Sequence, residues 1–340
     1  MSKRKVTSCS EFSKKADDIM RAAQLVSCLE VCGYPKPGNV HRLRDFHDTR
    51  FEHFIAGSIA IGPTMRRAAT IGMNVALGEI GLSEVGVGSL WRRAVEDVKC
   101  WHKGGNTHLG IIMLFTPLAI SAGMCIVDRG DFSVTDLQRN YVCIVKATTC
   151  DDAIEACVAI RIAEPGGMGQ VKHEYMPDLM NDDFKNRIIQ RNLTLYDVMK
   201  FASGWDIVAW ELVNGLETAF KIGYPALINF YDQIGDINVA IVNTFLKLLS
   251  IRPDTLIARK VGLKYTDDIV KAVEIGLERA MEVSDRARKI LDLGGLATSE
   301  GRKALIAFDN ELAVEGLNPG STADVLASSI FIAILLGLKI

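Results

Sequence analysis

The chain is 340 residues long, 49% apolar and 24% charged, with 39 basic against 41 acidic residues and a formal net charge of −2. That apolar content suffices for a sizeable buried core and excludes a disordered chain, and the nearly cancelling charge excludes a globally basic nucleic-acid binder or a polybasic membrane-surface protein. The first 20 residues lack the apolar core of a secretory signal, and the run Val325–Leu338 is shorter than the roughly 20 residues that cross a bilayer, so a cytoplasmic protein with no membrane and no nucleic-acid partner is expected.

Residues 1–12 read as a flexible N-terminus. Beyond them Ile19, Ala22, Ala23, Val26 and Leu29 recur at helical spacing and predict a helix from Ser13 to Cys32, ended by Pro35 and Pro37. A second helical segment is expected from about Thr49, and Pro63 suits the first turn of a helix over Pro63–Leu77. Ser89 is expected to cap the next helix and Gly104 and Gly105 to stop it. A helix over Asn106–Ser121, bent near Pro117, comes next. Capping-box patterns at Ser133–Asp136 and Thr194–Asp197 mark two further starts.

The glycine-rich "EPGGMG" at 164–169 reads as a loop, since no strand precedes it and its glycine spacing is wrong for a dinucleotide-binding turn. Segments 204–222, 226–250, 266–291, 299–315 and 321–337 are again helical in spacing. No alternating β-branched run stands between turn signals, so the fold class is all-α, a single catalytic domain over 13–340 of about a dozen helices. The eight cysteines form no Cys-x-x-Cys pair; Cys28 and Cys32 lie one turn apart, and Cys143, Cys150 and Cys157 recur every seven residues, which suits packing better than metal binding. The apolar C-terminal helix offers a surface for a homodimer.

Four interruptions share one oddity, polar and charged residues gathered at a helix boundary in apolar context: "PKPGNVHR" (35–42), "GGNTHLG" (104–110), "RPDTLIARKVG" (252–262) and "LNPGSTAD" (317–324). Two readings stand open. In one, Lys36 is a solvated loop charge, Asn106 and Asp254 cap helices, His108 is a satisfied histidine, and Ser321 with Asp324 forms a capping box. In the other, free N–H groups at helix starts and glycine turns hold a polyphosphate together with Lys36, Arg42, Arg259 and Lys260, and Asp254 and Asp324 hold Mg²⁺. His47, Asp48 and His53 suggest a transition-metal set, but the two histidines do not share a helix face, and a solvated substrate-facing loop is the better reading.

Taken together and in this order, the four segments resemble those of the triphosphoribosyl-dephospho-coenzyme A synthase family. "PKPGNV" is similar to that family's Pro-Lys-Pro-Gly-Leu-Val, "NTHLG" to its Asn-Thr-His-Lys-Gly, and "NPGSTADVLA" to its Ser-Pro-Gly-Gly-Ser-Ala-Asp-Leu-Leu-Ala; "PDTLIARKVG" is similar to its Asp-Thr segment with a following arginine. The resemblance spans roughly Ala22 to Phe331. It implies transfer of the triphosphoribosyl part of ATP to the ribose 2′-hydroxyl of 3′-dephospho-coenzyme A, with release of adenine and with Mg²⁺ on the triphosphate.

Carried onto this chain, the resemblance implies phosphate contacts from Lys36, Gly38, Arg42, Thr107, Arg259 and Ser321, with Asp254 and Asp324 on Mg²⁺ or ribose. It places Asn106 and His108 at the reacting centre. His108 is the preferred general base because an ordinary histidine titrates near neutrality, and Asp48 is the alternative. Two departures stand out: His41 replaces an acid of the family pattern, and Leu109 replaces the lysine of Asn-Thr-His-Lys-Gly. One charge of each sign is lost, and two readings stand open: a compensated swap, or the mark of a different acceptor.

Overall fold

The computed structural model describes residues 9–340. Its helices in chain order are α1 (Cys9–Cys32), α2 (Phe51–Ala60), α3 (Gly62–Leu77), α4 (Val87–Trp101), α5 (Leu109–Arg129), α6 (Val134–Lys146), α7 (Cys150–Ala163) and α8 (Phe184–Arg191). They continue with α9 (Leu195–Ala202), α10 (Ile207–Val213), α11 (Tyr224–Ile234), α12 (Ile237–Ile251), α13 (Thr255–Gly262), α14 (Ile269–Asp292), α15 (Ser299–Glu315) and α16 (Gly320–Leu335). Among the described residues there is no strand, only two isolated bridges, so the all-α reading holds. Most of the segment expected to be a flexible N-terminus lies outside the described residues, and α1 starts at Cys9, four residues before Ser13.

The capping signals act where the sequence places them. Ser133 and Thr194 accept from the backbone of Asp136 and Asp197, and Thr149 forms a third box of the same kind with Asp152. Other boundaries differ from the expected ones for identifiable reasons. Ser89 lies inside α4, which starts two residues earlier because Gly86 takes a left-handed conformation, φ 69°. The segment expected as one helix over 204–222 breaks after α10, where Gly215 and Leu216 both have positive φ, and resumes as a π-helical turn over Ala219–Gly223. Buried Glu211 accepts from the backbone N–H groups of Thr218 and Ala219 at 3.3 and 3.4 Å there, and burial pushes its carboxyl up to about 7. Segment 226–250 divides at Gly235, φ 71°, with Asp236 capping α12.

Helix α5 runs eight residues past Ser121 and is the central element. It is long and apolar enough to cross a membrane, and 83% of its most apolar window is buried by other helices, chiefly α3, with α16, α6 and α4 around it. Helix α16 is likewise interior, its residues from Val325 to Ala333 buried against α1, α5 and α12. Its apolar character therefore builds the core, and the dimer surface expected of it is not available. The seven-residue cysteine spacing does not mark a shared face either, since Cys143 is exposed on α6 while Cys157 is buried on α7.

One pair of helices sets the geometry of the cavity. A methyl group on Gly262 of α13 would overlap the Ala272 carbonyl, and one on Gly276 of α14 would overlap that of Ala258. The two backbones thus meet directly at reciprocal glycines, and the short α13 is laid flat on the 24-residue α14.

Candidate active site

The chain leaves α1 at Gly33 and turns through Pro35 and Pro37, and Lys36 folds back instead of reaching out. Its ammonium donates to the Glu30 carbonyl at 2.7 Å and pairs with the Glu30 carboxylate, and the side chain is 1% exposed. Glu30 sits on the buried stripe of α1, in line with Ala16, Ile19, Ala23 and Val26. A charge on that apolar stripe is the sequence signal that would have found it.

The rest of this loop is clamped by Asp309 of α15, a buried carboxylate that accepts from Gly38 N at 3.0 Å, His41 Nε2 at 3.1 Å and Arg44 Nε and Nη2 at 3.1 and 3.0 Å. Gly38, φ +70°, is pressed against the Leu317 carbonyl, so the glycine serves close packing and its N–H is already taken. Neither Gly38, expected to contact phosphate, nor His41 borders the cavity, and His41 faces Asp309. Arg42 is exposed and donates to the carbonyl of Cys32 at 2.7 Å, which closes the end of α1 and keeps the guanidinium out of the cavity.

The turn at 102–108 holds a chain of hydrogen bonds whose protons can all be placed. The Ser58 hydroxyl donates to the Phe54 carbonyl at 2.7 Å, so it accepts from His108 Nε2 at 3.1 Å, and His108 Nδ1 then accepts from Thr107 Oγ1 at 2.7 Å. Thr107 in turn accepts from His102 Nε2 at 3.1 Å, while His102 Nδ1 accepts from the Gly104 N–H at 3.2 Å. Both histidines are neutral in this arrangement. Burial, with the neighbouring His102 second, pushes His108 down to about 3, and burial with His53 and Lys99 lowers His102. His108 is 1% exposed and stands behind Thr107. Shut off from the main cavity, with its free ring nitrogen already accepting from Thr107, His108 is not placed to take a proton from a substrate there, against the role expected of it.

Asn106 uses its side-chain oxygen to cap Leu109 N at 3.1 Å, and it still borders the cavity with its amide nitrogen unpartnered among the described residues. Among those residues there is no group of three metal-ligating side chains; His53 stacks on His102, ring centroids 5.2 Å apart.

Asp254 is the clearest case of a cap. Fully buried, it accepts from Leu256 N and Ile257 N at 2.8 and 3.2 Å through one oxygen, and from Thr322 N and Oγ1 at 2.7 Å each through the other. Four protein donors fill the carboxylate, so it has no oxygen left for Mg²⁺ and does not border the cavity. What it does is bind the start of α13 to the start of α16.

Those two helices face one cavity of about 400 Å³. Into it α13 directs Arg259, paired with Asp206 at 3.0 Å, and Lys260, which has no ion-pair partner among the described residues. Burial lowers the Lys260 ammonium, and Asp48 and Asp254 pull it back up. Helix α16 presents Gly320 and Ser321, its first residues, whose N–H groups have no partner among the described residues while Asp254 takes that of Thr322, and then Asp324. Asp48, exposed at the mouth, accepts from its neighbour Thr49 Oγ1 at 3.1 Å. Lys36, Glu30, Asn39 and Thr107 belong to the polar lining too, with Thr49, Glu164 and Asn318 beside them.

Asp324 is the exceptional group. Among the described residues its carboxylate makes no hydrogen bond or ion pair, and desolvation, then the negative charges of Glu30, Asp206 and Asp254, push it well above the usual carboxylate range, with Lys36 partly offsetting them. It lies against Gly110, in the first turn of α5, where a methyl group would overlap it. Gly110→Ala should therefore displace the carboxylate and depress turnover at least tenfold with a normal circular dichroism spectrum; unchanged turnover would mean that the carboxylate position does not matter.

Cavity residues therefore come from all four segments singled out in the sequence, though not always the residues expected. Lys36, Asp48, Asn106, Thr107, Arg259, Ser321 and Asp324 are brought together; Gly38, Arg42, His108 and Asp254 are not. Residues 16–339 match the family described as ATP:dephospho-CoA triphosphoribosyl transferase. The chain belongs to that family. Among relatives of this triphosphoribosyl transferase family, the 2-(5″-triphosphoribosyl)-3′-dephosphocoenzyme-A synthase of Escherichia fergusonii is 23% identical over 321 residues, 94% of this chain and 91% of its own. That of Klebsiella pneumoniae is 24% identical over 326 residues, with the same shares. A crystal structure titled as a putative triphosphoribosyl-dephospho-coA synthase from Archaeoglobus fulgidus superposes with a TM-score of 0.55 at 24% identity, covering 84% of this chain and all of that one, which shows a shared fold. As a member of the transferase family the chain is an enzyme.

Proposed function

We propose that this chain transfers the triphosphoribosyl group of ATP to the ribose 2′-hydroxyl of 3′-dephospho-coenzyme A in the cavity between α13 and α16, and that it does so in the cytoplasm. The observation that carries the reading is the meeting, in one cavity, of an unpaired cation, a helix start whose first two N–H groups are open among the described residues, and an unpartnered carboxylate: Lys260, the Gly320–Ser321 turn and Asp324. The first two suit phosphate oxygens. The third suits a cation held with them.

In the reaction the bond from ribosyl C1′ to adenine N9 breaks, a bond from C1′ to the acceptor 2′-oxygen forms, the acceptor hydroxyl loses a proton and adenine gains one. Lys260 and Arg259 would hold the triphosphate, with the N–H groups of Gly320 and Ser321. Lys36, already neutralised by Glu30, would keep that carboxylate inside the cavity wall and serve phosphate only secondarily. Asp48, the exposed carboxylate at the mouth, takes the base role that His108 cannot fill. The free amide of Asn106 is placed to hydrogen-bond the departing ring.

Mg²⁺ fits Asp324, whose bare carboxylate is repelled by three neighbouring acids, and does not fit Asp254, whose oxygens are filled. When bound it would neutralise triphosphate charge; the rest of the positioning falls to the side chains named above. Chromatography of ATP, Mg²⁺ and dephospho-coenzyme A with the enzyme should show free adenine in step with acceptor consumption. Release of phosphate or pyrophosphate without adenine would overturn the proposal.

A further inference from the structure

The cavity has a second lining that the phosphate chemistry does not use. Between Pro165 and Ala209, Asp206 is the only charged residue that reaches it, and Asp206 is held by Arg259 and by its own cap to Ala209 N. The remainder is apolar: Met168, Met176 and Met199, the Phe201–Trp205 pair packed edge to face at 5.0 Å, and the half-buried Ala202. In the same stretch Gly166 and Gly167 form a turn, and apart from that turn the peptide groups from Gly166 to Gly169 make no hydrogen bond among the described residues, although they border the cavity.

We propose that this lining seats the uncharged pantetheine arm of the acceptor; the proposal rests on the transferase reading above. Of the parts the two substrates bring, the phosphates need cations, the riboses need hydrogen bonds, the departing purine must meet polar groups to gain its proton, and the acceptor's own purine is a rigid flat ring that ADP also carries. The arm alone is long, flexible and uncharged. Methionine side chains adapt to such an irregular chain, and its two amides need backbone partners of the kind that residues 166–169 leave open. The acceptor would thus be read by a wall that carries no charge for it. Of the two departures seen in the sequence, His41 is held by Asp309 away from this lining, while Leu109 borders the same cavity from the start of α5.

The test fills the seat. Calorimetry of 4′-phosphopantetheine with the parent enzyme should give a saturable binding curve, and Ala202→Phe should weaken it about tenfold or more, with Met176→Glu as a second variant if the first does not fold. Binding of ADP, the acceptor without its arm, should be unchanged in the same variants. Phosphopantetheine that fails to bind, binds the variants equally well, or is weakened no more than ADP overturns the proposal. The transferase reading fails separately, on the absence of adenine from ATP and intact dephospho-coenzyme A, and phosphopantetheine binding that responds to Ala202→Phe would still support the seat in that event.

Discussion

An Asp324→Asn enzyme should release adenine at least about a hundredfold more slowly than its parent while unfolding at the same temperature or a higher one. The two halves of that result come from the same cause. The carboxylate is desolvated and faces Glu30, Asp206 and Asp254 with only Lys36 to offset them, so its folded-state affinity for protons is raised. A carboxyl raised in this way favours the fold while protonated, and that contribution is lost as pH climbs from the ordinary carboxylate range through the raised value. The amide carries no charge to repel, so the variant keeps its stability where the parent loses it. It also cannot hold Mg²⁺, and the thermal shift that Mg²⁺ adds in the presence of ATP should disappear. Unimpaired turnover, or a marked loss of stability, would make Asp324 a packing residue.

The largest stability effect is expected at His108. An unfolded histidine titrates near 6.5 and this one is held at about 3, so below pH 6.5 the unfolded chain takes up a proton that the native chain refuses. Stability at this position is therefore full above 6.5 and falls as pH drops toward 3, by roughly 2 kcal/mol between pH 7 and pH 5 and roughly 5 kcal/mol in all. Glutamine offers an oxygen to Thr107 and an N–H to Ser58 without titrating. Urea unfolding of the parent and His108→Gln at pH 7 and pH 5 should show the gap between them shift by about 2 kcal/mol in favour of the variant at the lower pH. A gap that stays constant would show that the ring is not held neutral.

Periodicity and caps are enough for the helical architecture, because an amphipathic stripe and a Ser or Thr facing an acid are local facts. The breaks inside 204–222 and 226–250 are not legible in this way: Gly215, Leu216 and Gly235 take positive φ there, a choice made by packing that apolar spacing does not record. Helix α5 outruns its expected end for a related reason. Proline at 117 suggests a bend near a terminus, yet the helix continues to Arg129 in the centre of the core.

At the site, the four interruptions are legible as a set and poorly legible one residue at a time. Gly38 and His41 are captured by Asp309, 271 and 268 positions further on, and Asp254 by Thr322, 68 further on. No local pattern says which loop charge meets a distant donor and which is left bare. The capping reading and the ligand reading of Asp254 and Asp324 weigh the same in the sequence; long-range hydrogen bonds separate them, filling the first carboxylate and leaving the second without a partner among the described residues.

The shared carboxylate of Asp254 also makes a mechanical statement. Because one side chain holds the starts of both α13 and α16, and α13 is in turn seated on α14 through reciprocal glycines, the elements proposed to grip the triphosphate form one rigid jaw. The irregular stretch between α7 and α8 is laid on this same jaw, its Gly166 and Gly167 against Lys260, Leu256 and Arg259 and its Gln170 N–H bonded to the Asp267 carbonyl. Donor grip and the proposed acceptor seat thereby share one support, Asp206 being tied to Arg259 and Ile207 N to Thr255, so a change that unseats α13 should disturb both.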